Sequence, residues 1–138
     1  MQKETIDKKD IIQMIIGSLA TAIVIAPNNE YRFLSQNLPT YKILIIFIIT
    51  IIFTVLISYW IGGRKLKLNE IRTIAYIIPV RVVMIYAISI VSCLFALWIY
   101  DIINSDTSNM LIIREIIVLS LPATWGGTLL DLVYSKNK

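Results

Sequence analysis

The chain has 138 residues, of which 57% are apolar and 16% charged, with a mean hydropathy of +0.77. A water-soluble domain carries about 45–50% apolar and about 25% charged residues, so this composition excludes an ordinary soluble fold and implies lipid as the surrounding medium. The net charge of +4 does not mark a nucleic-acid binder, because the basic residues lie in short runs beside apolar segments without interleaved aromatics.

One cysteine, Cys93, leaves no intrachain disulfide to form. Histidine is absent, which removes the commonest transition-metal ligand, general base and physiological pH switch. Neither a metal site nor a cofactor is expected, and only Asp/Glu donors for a hard cation stay open.

In chain order, the first apolar segment runs from about Ile11 to Ala26 and stops at Pro27. Its basic start and the small-residue "ATA" at Ala20–Ala22 resemble a signal peptide. The apolar run continues past that point, so a retained helix is expected. The next stretch, "PNNEYRFLSQNLPTYK", is too polar to span. It predicts a short interfacial helix over about 28–38, or a kinked extension of the first span, with Tyr31, Phe33, Leu34 and Leu38 towards the bilayer.

The second span runs from Ile43 to Ile61 and is expected to stop at Gly62-Gly63. The third covers about Ile74 to Tyr100 and includes Pro79 and Arg81. The fourth covers about Met110 to Tyr134. A helix needs roughly 20 apolar residues to cross the hydrocarbon, so the first segment is the shortest candidate. Tyr41, Tyr59, Trp60, Trp98 and Tyr100 near the segment ends suit aromatic belts. The expectation is an all-α, four-span chain forming one transmembrane domain over 1–138.

Four spans put the two termini and the middle loop on one side. That side holds Lys3, Lys8, Lys9, Arg64, Lys65, Lys67, Arg72, Arg81, Lys136 and Lys138. The other side holds Arg32, Lys42 and Arg114. Ten basic residues against three place both termini in the cytoplasm, with the chain in the inner (plasma) membrane.

Small and hydroxyl residues recur at three-and-four spacing in every span. Gly17, Ser18, Thr21 and Ala22 do so in the first, and Thr50, Thr54 and Ser58 in the second. Ser89, Ser92 and Ala96 share a face of the third with Arg81 and Ile85. In the fourth, Ser120, Ala123, Thr124, Gly127, Thr128 and Asp131 share a face, with Gly126 adjacent. In lipid, close backbone approach and buried hydrogen bonds drive helix association. The stripes therefore read as helix-packing seams, with a wet path along one of them as the sharper alternative. Pro122 and Gly126-Gly127 loosen the fourth helix for tight packing or for a hinge.

A charge near the centre of a span costs about 2.5–3.5 kcal/mol, so the charges there matter. Arg81 and Asp131 lie at similar depth, close enough for a salt bridge, with snorkelling as the alternative. Glu30, outside the first span, reads as a solvated loop glutamate, with an acidic ring at a mouth as the sharper alternative. Arg114, Glu115, Asp101 and Asp106 read as an interfacial ion cluster. A faint echo between "YWIGG" and "TWGG" hints at two duplicated hairpins.

Three stretches, "APNNEYRFL" (Ala26–Leu34), "ISIVSCLFALWIYD" (Ile88–Asp101) and "LPATWGGTLLDL" (Leu121–Leu132), together resemble an uncharacterised prokaryotic family of small integral membrane proteins. The matching positions are Pro27, Glu30, Pro122, Ala123, Gly126, Gly127 and Asp131. Asn28-Asn29 stands where the resemblance implies a more acidic or hydroxyl-bearing pair. The resemblance implies the fold and adds no reaction.

Three roles compete. The polar stripes and in-span charges favour ion or small-solute permeation by a homo-oligomer, since four helices enclose too little space for a pore. The small-residue seams and short loops favour an accessory subunit of another membrane protein. An enzyme is not expected, because no G-x-S-x-G elbow, Gly-rich phosphate loop or paired in-span carboxylates occur.

Overall fold

A computed structural model describes residues 8–65, 71–104 and 106–135. All regular structure among them is helical: α1 (Lys8–Ile25), α2 (Asn29–Asn37), α3 (Thr40–Lys65), α4 (Ile71–Ile99) and α5 (Asn109–Ser135).

Prolines set the first boundaries. Pro27 disfavours helical geometry at the residue before it, and α1 closes with Asn28 donating its N–H to the Ile25 carbonyl at 3.0 Å. Asn28 is then extended (φ −72°, ψ 121°), and its side-chain oxygen accepts the Glu30 N–H at 2.9 Å. This is an N-cap, which satisfies a donor that the helix leaves orphaned. The asparagine is thus accounted for by α2 itself. Leu38, extended before Pro39, ends α2.

Glycine and proline do not end helices in the spans. α3 continues through Gly62-Gly63 to Lys65 rather than stopping at Ile61. Each glycine costs about 1 kcal/mol relative to alanine, which a long helix tolerates. α4 runs through Pro79 and α5 through Pro122.

α4 ends in a Schellman turn. Asp101 is left-handed (φ 55°), the Ile102 N–H reaches the Leu97 carbonyl at 3.0 Å, and the Asp101 N–H reaches that of Trp98 at 3.0 Å. The motif usually takes glycine at this place, and aspartate tolerates the conformation better than most residues.

Among the described residues, three helical segments are long and apolar enough to cross a membrane unaided: Thr40–Trp60, Ile78–Ile99 and Asn109–Leu130. α1 and α2 qualify only together, as a pair bent by 88°, which makes up to four crossings. The reason is length. The first turn of α1 is Lys8, Lys9 and Asp10, and the remaining 15 residues make about 22 Å of helix, against about 30 Å of hydrocarbon.

α1 packs chiefly on α5 and next on α4, α3 packs on α4 and α5, and α2 lies on α5. The apolar core gathers Ala22 and Ala26 (α1), Tyr31 (α2), Cys93, Ala96 and Leu97 (α4), and Leu119 and Ala123 (α5). α3 turns most of its apolar residues outwards, with Leu44, Ile48, Ile52 and Leu56 about half exposed. Burial alone would not retain such a face in water; lipid accepts it at no cost.

Candidate functional site

The seam residues lie between helices. Ser18 and Ala22 of α1, Thr50, Thr54 and Ser58 of α3, Ser89 and Ser92 of α4, and Thr124 and Gly127 of α5 are buried, and Gly126 is half-buried. The closest approach is between α1 and α5. A Cβ placed on Gly17 would collide with the Gly126 carbonyl and come within 3.0 Å of the Gly127 Cα. A Cβ on Gly126 would meet the Gly17 carbonyl and Thr21 Oγ1. Only glycine lets these backbones touch.

The hydroxyls do less across helices than their spacing suggests. Thr50 donates to the Ile46 carbonyl, Thr54 to Thr50, Ser120 to Ile117, Thr124 to Leu121 and Thr128 to Thr124, all at 2.7–2.8 Å and all within their own helix. Side-chain pairs that bridge helices among the described residues include Ser18 and Ser89, at 3.2 Å between their Oγ atoms, and Tyr86 Oη and Ser120 Oγ, at 3.4 Å. Such back-bonding satisfies a hydroxyl locally, so contact between the helices rests mainly on shape.

Of the three charges singled out in the sequence, the side chains of Glu30 and Arg81 are among the described residues. Glu30 is exposed in the first turn of α2, where the positive end of the helix dipole favours a carboxylate. Arg81 is 5% exposed, near the opposite end of the bundle. Asp131 belongs to α5, but its side chain, and with it the Arg81–Asp131 pair, lies outside the described residues.

The structure instead assembles polar groups where α2 lies across the start of α5. Glu115, in the second turn of α5, is fully buried. Of the residues read as an interfacial ion cluster, Asp101 and Asp106 are exposed while Glu115 is buried. Tyr31 is also not turned to the bilayer: it is 7% exposed, and its hydroxyl donates to the Glu115 backbone carbonyl. Phe33 and Leu34 are the large apolar residues of α2 that face outwards.

Arg114 donates to the Leu38 carbonyl at the far end of α2. α2 is therefore fastened to α5 at both ends. Arg32 and Gln36, on the same flank of α2, are the polar side chains nearest the Glu115 carboxyl. Gln36 and the Arg32 guanidinium both act on that carboxyl, but neither carboxyl oxygen has a partner within strict hydrogen-bond distance and angle among the described residues. A carboxylate held this way without a partner costs several kcal/mol.

Sequence spacing held a signal for this residue. Glu115 stands four residues before Leu119 and eight before Ala123, so it continues the buried stripe of α5 backwards. Its position next to a loop masked that signal.

Helices with apolar outer faces, glycine-mediated contacts and a sealed ionisable group define a helical integral membrane protein in contact with a lipid bilayer. In particular, the chain belongs to the family described as "Putative integral membrane protein (DUF2391)", whose model matches residues 2–133. No curated protein and no solved structure matches it.

Proposed function

We propose that the chain crosses the plasma membrane four times, with the bent α1–α2 pair as its first crossing and both termini cytoplasmic. It associates with further copies of itself and passes ions or small solutes. The observation that carries this reading is the buried, partnerless carboxyl of Glu115 in a membrane-crossing helix. Ionisable groups at such positions are costly and mark ion and proton pathways.

The distribution of basic residues supports the orientation, which puts α2 and Glu115 on the outer side. Four helices per chain leave little room for a pore, which supports assembly. No catalytic role is assigned, in keeping with the absence of histidine and of a nucleophile motif.

The test is flux through liposomes carrying the purified protein in a verified oligomeric state. Flux above that of empty liposomes is expected, and its absence would overturn the reading. A second reading, an accessory subunit, is favoured by the apolar outward face of α3, which suits a neighbouring helix as well as lipid. Purification in mild detergent at native expression tests it. A chain that always runs alone or only with itself would count against it.

A further inference from the structure

We propose that Glu115 is a proton-binding site, carried as the neutral acid beneath α2 and discharged when α2 lifts from α5. As the identity of a permeating ion, this rests on the permeation reading; as a property of the carboxyl, it does not.

Three observations lead to it. Glu115 is fully buried, with both oxygens lacking a hydrogen-bond partner among the described residues. An ion sealed from water without a partner is the least favourable arrangement for a carboxyl, and taking up a proton removes the charge. Second, the groups around it suit a proton better than a metal cation. Arg32 on α2 and Arg114 beside it on α5 are cationic and repel one, and the Tyr31 hydroxyl is committed to the Glu115 carbonyl. From α4 the titratable neighbour is Cys93, buried in the same core as Tyr31. α1 offers Ala22 and Ala26 to the same core. A hard cation needs about six oxygens, and this setting does not supply them.

Third, the cover is a separate piece. α2 has nine residues, bends 88° away from α1 and has α5 as its main support. So short a helix has little stability of its own. If it lifts, water reaches the carboxyl, the O–H bond breaks and the proton leaves to water. While α2 is lifted, a hydronium ion from the same water returns a proton to the carboxylate, and α2 settles back over the neutral acid.

The experiment is infrared difference spectroscopy of the full-length protein in lipid nanodiscs across a pH titration. A protonated-carboxyl carbonyl band at neutral pH, absent in Glu115→Gln, is expected. Arg32→Gln, which removes the nearby positive charge but keeps the carboxyl, should extend the band to higher pH. No such band in the wild type, or one retained in Glu115→Gln, overturns the proposal; so does a band indifferent to Arg32→Gln. Flux is measured on the same preparations. A Glu115 band without flux would remove the permeation reading and leave the site.

Discussion

α5 meets the two halves of the bent α1–α2 pair in opposite ways. Against α1 it offers Gly126 and Gly127 to Gly17, Ser18 and Thr21, and the backbones touch. Against α2 it offers a backbone carbonyl, a guanidinium and a carboxyl to Tyr31, Leu38, Arg32 and Gln36. The first contact is backbone against backbone and fixed by shape. The second is polar and incompletely satisfied, because neither Glu115 carboxyl oxygen has a partner in strict hydrogen-bond geometry among the described residues. A close-packed seam has one arrangement and stays shut. A polar contact with an unmet member has a reason to rearrange. The difference separates the part of the molecule that holds the bundle together from the part that is free to work.

Four substitutions break or sharpen this contrast. The largest effect is expected from Gly126→Val. Its side chain would drive into the Gly17 carbonyl and Thr21, and overpacking against backbone should cost about 3 kcal/mol. Reversible unfolding in bicelles measures it, and a loss below 1 kcal/mol would show that α1 is not held by shape.

Tyr31→Phe comes next. It removes one buried hydrogen bond from α2, worth about 1 kcal/mol. It should also raise alkylation of a cysteine introduced at Ser35, which is on the buried face of α2. Unchanged labelling would mean that α2 does not depend on that bond.

Ser18→Ala removes one side of the Ser18–Ser89 pair and should cost about 0.6 kcal/mol in the same unfolding assay. Smallest is Thr50→Val. The Thr50 hydroxyl bonds its own helix, so a loss under about 0.5 kcal/mol is expected. A loss larger than that of Ser18→Ala would return the hydroxyls of α3 to a role between helices.

Much of this was readable from spacing. The helix boundaries at Pro27 and Pro39 follow from the restriction proline places on its predecessor. The buried faces follow from small and hydroxyl residues at three-and-four spacing, because a helix of known period has only one way to align them. What spacing misjudged was the inventory of bonds: the threonines turned to their own carbonyls, which spacing does not distinguish from a partner's. It also misjudged Tyr31, since the roll of a nine-residue amphipathic helix depends on what it lies against.

The sequence by itself determined a lipid-embedded helical chain and the face each long helix buries, because composition and period are local properties. Only tertiary structure decided that α1 and α2 part at 88° and that α2 closes over Glu115. The cause is distance along the chain: Tyr31 and Glu115 are 84 residues apart, and nothing in either neighbourhood encodes the other. The carboxyl is cut off from water by a helix from elsewhere in the chain, and that burial is what gives an otherwise ordinary glutamate its chemistry.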